Sequence, residues 1–333
     1  MLDIPFLLII IVIAALVFDF TNGAHDCANA IATVVSSKVL SPRTAVIMAA
    51  TLNLVGALLG TEVAQTLGSG IVYPEVVSGS QILVLAGLVG AIVWNSLTWY
   101  FGIPSSSSHA LIGGLIGAAL AHAGVDALNG VSIIKKVIIP LFASPLAGFC
   151  AGFLLMAAVS LLFFRVKRAI ASTFFKKAQV FSAGVMALSH GLNDAQKTMG
   201  VITLALLIFG KIESIEVPLW VKLSCALTMA AGTSIGGWKI VKTMGHKIFK
   251  LEPVHGFAAE TSAALVIAGA SFAGAPISTT HTITACIFGV GSTKRLSAVR
   301  WGVAGNLLIA WVLTIPAAAT VGWLAFFFLD MLF

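Results

Sequence analysis

Apolar runs of about 20 residues recur from one end of this chain to the other, each long enough to cross a bilayer core of roughly 30 Å as a helix. The first, Ile4 to Phe20, leads directly into a polar stretch, Asn22 to Ala30 (NGAHDCANA), so the solvent around that stretch decides its meaning. Hydrophobic residues make up 59% of the 333 positions and charged residues 9%, whereas a soluble domain carries roughly 25% charged residues. The mean hydropathy is +1.05. These values exclude an ordinary soluble domain and predict an all-α polytopic membrane protein. The first run lacks a basic leader and a small-residue cleavage signal, so it reads as a retained span. Cys27, Cys150, Cys225 and Cys286 show no paired spacing, which predicts small core residues with no disulfide frame and no metal cluster.

The net charge is +7, but its placement argues against a nucleic-acid partner. The bases gather at the ends of apolar runs: Arg165 to Lys177, Lys239 to Lys250, and Lys294, Arg295 and Arg300. The segments Thr61 to Ser80 and Lys211 to Pro218 hold Glu62, Glu75, Glu213 and Glu216 against a single lysine. Basic loops stay on the cytoplasmic side. This predicts an inward-facing linker, outward acidic loops and both termini outside, with Lys135 and Lys136 as outliers on the outer side.

The chain repeats itself. GAHDCAN begins at Gly23 and GLNDAQK at Gly191, 168 residues apart; PSSSSH begins at Pro104 and PISTTH at Pro276, 172 residues apart. Gly56 and Gly60 match Gly232 and Gly236, Gly117 matches Gly289, and Pro145 matches Pro316, in the same order. Each half reads as about five crossings. An odd number inverts the second copy, so two inverted-topology repeats are expected (residues 1–164 and 178–333, joined by a basic cytoplasmic linker, 165–177), with 10–12 transmembrane segments in all. Inverted repeats are the plan of many secondary transporters, whose sites lie at the midplane where helices break.

The motifs supply the chemistry of such a site. Asn22-Gly23 and His190-Gly191 predict interrupted helices, since glycine costs about 1 kcal/mol relative to alanine in a helix interior. Pro104 and Pro276, each followed by hydroxyl residues, predict helix starts. A buried helix start offers unpaired N–H groups and a positive dipole end. Two such starts related by inverted symmetry can grip one tetrahedral oxyanion. A lone serine run would more often serve packing; its duplication favours a site. The glycine pairs read as close-packing faces.

Asp26, Asp194 and Glu260 lie far from any loop, and an acid at membrane depth costs at least roughly 2.5–3.5 kcal/mol, which marks it as functional. Asp26 and Asp194 occupy equivalent places in the two repeats. With Asn22, Asn29, Asn193 and Gln196 they supply hard oxygen ligands of the kind that hold small cations. Lys197 either neutralises Asp194 or contacts an anion. His25, His109 and His281 are donors or proton carriers. Asp19 and Asn53 are further intramembrane polar residues, and a packing hydrogen bond accounts for Asn53 equally well.

NGAHDCANAIATVV and SHGLNDAQKTMG, with PSSSSH and PISTTH, resemble the duplicated signatures of the inorganic phosphate transporter (Pit) family, over Asn22 to Pro316. The chain is similar to the short bacterial and archaeal members, its halves being joined by only a brief linker. The resemblance implies a secondary transporter that imports inorganic phosphate with protons or sodium ions and has no other cofactor. It assigns phosphate to Ser106, Ser107, Ser108, Ser278, Thr279, Thr280, Asn29, Gln196 and Lys197. The coupling ion falls to Asp26, Asp194, Asn22, Asn193, His25 and Glu260, with sodium, if used, at Asp26 and Asp194. The expected setting is a multi-pass homodimer in the lipid bilayer of the inner (plasma) membrane.

A sulfate permease of the same fold is the alternative within transport. Phosphate keeps an O–H at neutral pH that can donate to a carboxylate; sulfate has none. A membrane enzyme acting on phosphorylated lipids would want clustered aspartates for magnesium. Asp19 and Asp26 are seven residues apart with no second acidic pair, and Ser108 and His109 are adjacent, on different helix faces. The reading is therefore a carrier and not an enzyme.

Overall fold

The computed structural model describes residues 4–68, 72–73, 80–214 and 216–332; Glu75 of the acidic stretch lies outside the described residues. The first half forms α1 (Ile4–Ser36), α2 (Pro42–Ala57), a short α3 (Glu62–Gly68), α4 (Ile82–Phe101), α5 (Ser107–Ala123) and α6 (Gly130–Leu162). The second half repeats the series as α7 (Arg168–Ile208), α8 (Leu219–Ile235), a short α9 (Trp238–Lys242), α10 (Pro253–Phe272), α11 (Thr279–Lys294) and α12 (Trp301–Asp330). Among the described residues each half holds five longer helices and one short one. The short pieces α3 and α9 were not foreseen.

The halves are interlocked. α5 packs on α12 and α11 on α6; α1 packs on α8 and α2 on α7; α3 packs on α7 and α9 on α1. Each of these contacts has its counterpart with the repeats exchanged. Pro145 and Pro316 lie inside the matching helices α6 and α12. The end of α1 meets the early part of α7, where Ser37 Oγ donates to Gln179 Oε1 at 2.8 Å. α1 and α7 therefore run in opposite directions, as an inverted repeat requires.

The exposure pattern is that of a protein dissolved in lipid. Leu146, Leu154, Leu161, Ile309 and Phe328 are exposed on α6 and α12, while Asp19, Asp26, Asp194, Lys197 and Glu260 are buried. Among the described residues four helices, α1, α4, α6 and α12, are long and apolar enough to cross a membrane, and α8 is a shorter apolar helix. Of the four cysteines three are buried, whereas Cys150 is exposed on α6 and so is no core residue. Two apolar cores divide the interior. One gathers the first half of α1 with α4, α5 and the later part of α7. The other gathers the second half of α1 with α2, α10, α11 and the early part of α7. The polar motifs lie between them.

Charge is segregated by end. Arg168 lies 4.0 Å from Glu252, the Arg300 backbone donates to Ile248 O at 3.0 Å, and Ser36 Oγ lies 3.3 Å from His246 Nδ1. The three basic clusters therefore share one end with the last residues of α1. Most of the basic linker is helical: beyond Arg165, Val166 and Lys167 it forms the first turns of α7. The acidic residues Glu62 and Glu213 lie at the other end, at the start of α3 and beyond the end of α7. The outlier Lys136 also sits there, donating from Nζ to Thr66 O at 3.1 Å in the last turn of α3. A cation at a helix C-terminus is favourable, which gives this lysine a local partner.

One expectation is overturned. Asn22-Gly23 and His190-Gly191 do not interrupt their helices: α1 and α7 run through both unbroken. The glycines are instead crossing points. A Cβ on Gly23 would lie 2.4 Å from Met229 O and one on Gly191 2.1 Å from Asn53 O. The matched Gly56 and Gly232 face Leu188 O and Phe20 O at 2.1 Å from the opposite side of the same crossings. Close backbone approach, available to small residues alone, outweighs the local propensity loss. The breaks fall later, after Gly102 (φ +69°) and Gly274 (φ +66°), the left-handed turns that lead into α5 and α11.

Gly191→Ala should therefore destabilise the folded protein by roughly 1–3 kcal/mol, the range for overpacking. Gly302→Ala in α12, where nothing lies within 4 Å of the added carbon, should be neutral or slightly stabilising. Thermal unfolding of both variants in the same detergent measures the difference.

Candidate functional site

Two half-helices begin inside the protein. α5 starts at Ser107 behind the N-cap Ser106, whose side chain accepts from His109 N at 3.2 Å. α11 starts at Thr279 behind Ser278, which accepts from His281 N at 3.2 Å. Pro104 and Pro276 lie in the connecting loops, two residues ahead of these caps and not in the first helical turn. Each cap hydroxyl still has its own proton to donate. The first backbone N–H groups of α5 and α11 have no partner within their helices, and they open beside the two conserved-in-register aspartates.

The hydroxyls of α11 join those aspartates. Thr279 Oγ1 donates to Asp194 Oδ2 at 2.9 Å and Thr280 Oγ1 to Asp26 Oδ1 at 3.2 Å. Asn29 Nδ2 donates to Thr280 Oγ1 at 3.0 Å and reaches Thr279 Oγ1 at 3.3 Å. On the α5 side, Lys197 Nζ hydrogen-bonds Ser108 Oγ and Asp194 Oδ1 and donates to Ile277 O at 3.0 Å. The 168-residue register sets Lys197 opposite Asn29. One repeat thus offers an amide where the other offers an ammonium, Asn29 at the start of α11 and Lys197 at the start of α5 and at the carbonyl ahead of α11.

Each aspartate also has a histidine. His25 Nδ1 lies 2.6 Å from Asp26 Oδ1, and its Nε2 lies 3.1 Å from Thr98 Oγ1 and 3.3 Å from Ser105 Oγ. His190 Nε2 lies 3.0 Å from Asp194 Oδ2, and Nδ1 lies 3.2 Å from Asn53 Oδ1. Asn53 in turn donates to Thr233 Oγ1 at 3.0 Å, so it both packs helices and orients His190. His190 was not singled out as a site residue, although the register aligns it with Asn22. One ligand atom each from Asp26, His190 and Asp194 lie within 4.8 Å of one another, a set able to hold a metal ion. Its two carboxylates are hard oxygen donors of the kind small cations take.

Several buried polar atoms here lack a protein partner: Ser107 Oγ, Asn22 Oδ1, Asn29 Oδ1 and Asn193 Oδ1 among them. Native interiors leave few such groups, and a polar ligand would complete them. His109 and His281 meet with ring centroids 5.0 Å apart, and His281 stacks on Trp311 at 4.0 Å. Both His281 nitrogens are without a partner.

Three expected site residues have hydrogen-bond partners outside this cluster. Gln196 Oε1 accepts from Val63 N at 2.7 Å and Ala64 N at 3.3 Å, and its Nε2 donates to Leu192 O at 2.7 Å. Its oxygen caps the start of α3, and its amide nitrogen bonds within α7. Asn193 donates to Ser271 Oγ at 2.8 Å, tying α7 to α10, while its oxygen has no partner. Glu260 lies apart, bonded by Thr33 Oγ1 and Ser182 Oγ and by Gln179 Nε2 at 3.1 Å. It forms a separate polar station one level nearer the basic end than the aspartate pair.

The arrangement can clasp a tetrahedral anion between two helix starts, an ammonium and a set of hydroxyls, with carboxylates placed to accept its proton or share a cation. Comparison with known proteins agrees. Residues 22–322 match the phosphate transporter family (PHO4). The chain is 49% identical over 328 residues to a probable low-affinity inorganic phosphate transporter of Bacillus subtilis, covering 98% of each chain. It is 49% identical over 327 residues to a protein of the same description from Rhizobium meliloti, covering 98% of this chain and 97% of that one. A solved structure titled as the sodium-dependent phosphate transporter shares the fold with a TM-score of 0.89 at 24% identity, over 98% of this chain and all of that one. Sequence and site together place this chain in the phosphate transporter family.

Proposed function

We propose that the protein is a secondary transporter that imports inorganic phosphate together with a coupling cation. The observation that carries this reading is the meeting of Lys197, held by Asp194, with Ser108 and Thr279 at two opposed half-helix starts. Phosphate fits this set better than sulfate. Its retained O–H can donate to Asp26 or Asp194, whereas sulfate would bring two negative charges with no proton to offer. Ser106, Ser107, Ser108, Ser278, Thr279, Thr280, Asn29 and Lys197 are read as phosphate ligands. Asp26 and Asp194, with His25 and His190 beside them and the free oxygens of Asn22 and Asn193, are read as the place of the coupling ion. Glu260 is read as a further station for that ion.

The segregation of charge supports an orientation with the basic end in the cytoplasm and the termini outside; a homodimer in the plasma membrane is the setting read for it. A cysteine introduced near Lys167 should then be labelled by an impermeant reagent only from the cytoplasmic side, and one at Thr61 only from outside. Labelling of both from one side would overturn the orientation.

In liposomes, uptake of labelled phosphate should be competed by arsenate, which shares its shape and retained proton, and far less by sulfate. Equal competition by sulfate would favour the permease reading.

Asp194→Asn strands the Lys197 ammonium, and an unpaired buried charge costs roughly 3–5 kcal/mol. Folded yield should drop. Asp194→Asn combined with Lys197→Met should recover folding yet remain without transport, because both the ion ligand and the anion partner are gone. Transport per folded molecule is the measurement, and wild-type transport by the double variant would remove both residues from the site.

A further inference from the structure

Asp19 is buried and takes no part in the central site. It lies seven residues before Asp26 on one face of α1, about 10 Å of helix rise away. Thr198 Oγ1 on α7 donates to its Oδ1 at 2.8 Å, while its Oδ2 has no partner. One turn further along the same face, the Asn22 oxygen is also without a donor. Among the described residues no cation pairs with Asp19. The titratable groups that face it from neighbouring helices are Asp194 on α7 and the Cys225 thiol on α8, and α4 carries no acid or base beyond Tyr100. Four buried carboxyl groups, Asp19, Asp26, Asp194 and Glu260, share the interior with one buried ammonium, Lys197.

Packing does not require this acid. The 168-residue register sets Ala187 opposite Asp19 and Ala30 opposite Thr198. Both alanines are fully buried in the apolar core at the basic end, so the symmetry-related crossing closes without a polar atom. A carboxyl kept at membrane depth without a structural need marks function.

We propose that Asp19 is a proton-binding site of the transport cycle, loaded from the side opposite the basic end and coupled to phosphate by charge. The proposal rests on the reading of the chain as a phosphate carrier. A proton from water on that side converts the Asp19 carboxylate to the acid. That one proton supplies a donor to a face where Asp19 Oδ2 and Asn22 Oδ1 are both acceptors lacking one. It also removes a negative charge about two turns from the anion site. A unit charge at about 10 Å and an effective dielectric near 20 changes anion affinity roughly tenfold. By linkage, bound phosphate raises the proton affinity of Asp19 by the same factor. Proton and phosphate therefore enter together, and loss of the proton on the cytoplasmic side favours release of the anion.

The test uses the full chain in liposomes with labelled phosphate and two readouts: phosphate–phosphate exchange at equal pH, and accumulation driven by an alkaline interior. Asp19→Asn should lose accumulation at least tenfold while exchange stays within about threefold of wild type. Asp19→Glu, which restores the carboxyl, should regain accumulation. Accumulation by Asp19→Asn equal to wild type overturns the proposal, as does wild-type accumulation driven by sodium and indifferent to the pH gradient. Failure of both variants in exchange assigns Asp19 to structure and overturns it also. A wild-type protein that neither exchanges nor accumulates phosphate instead overturns the phosphate reading itself.

Discussion

Within a bilayer every backbone polar group needs a partner inside the protein, and the two half-helix starts are where this chain departs from that rule. Helices α5 and α11 expose their first N–H groups to the interior, and the surrounding structure follows from holding them there. Ser106 and Ser278 satisfy one donor at each start. Gly102 and Gly274 supply the left-handed turns that let the chain reverse before them. Exchange of partners between repeats, α5 on α12 and α11 on α6, locks both starts toward the same centre. The hydroxyls of these starts reach the aspartates and Lys197, so the unfinished helix ends and the buried charges share one place.

Charge at that centre is arranged in unequal pairs. Asp194 has both Lys197 and His190, whereas Asp26 has His25 alone. The inverted repeat makes the positions equivalent, and the residues at them make the chemistry different. Thr279 and Thr280 touch both carboxylates from one helix start, while Ser108 on the other touches the ammonium. An anion in this space would meet a cationic side and a carboxylate side.

Much of this was legible in the sequence because it rests on periodicity and on duplicated residue types. Length and hydropathy carried the membrane class, and the offsets between GAHDCAN and GLNDAQK and between PSSSSH and PISTTH carried the inverted plan. Other features turn on partners that no local reading supplies. Gly23 and Gly191 signal either a broken helix or a close crossing, and only Met229 O and Asn53 O decide between them. Gln196 sits in the motif yet points at α3, an element too short to leave a pattern of its own. His190 follows from register with Asn22, but histidine and asparagine share no obvious signature. Glu260 was found by its burial in apolar sequence; its distance from the aspartates depends on how α10 packs on α7.

The repeats match closely in backbone and differ where a carrier must differ between its two sides. The apolar cores above and below the centre close it from both ends: Asp26, Asp194 and Lys197 are at most 2% exposed. Opening either core would expose the centre to that side alone, which is the requirement of alternating access. Polar residues break the symmetry of those cores. Thr33, Gln179 and Ser182 surround Glu260 toward the basic end, while the register sets Val201, Ile11 and Ala14 at the corresponding places toward the other. Those three are apolar and belong to or pack on the opposite core. The two halves of one backbone plan therefore line the interior with different polarity toward its two ends.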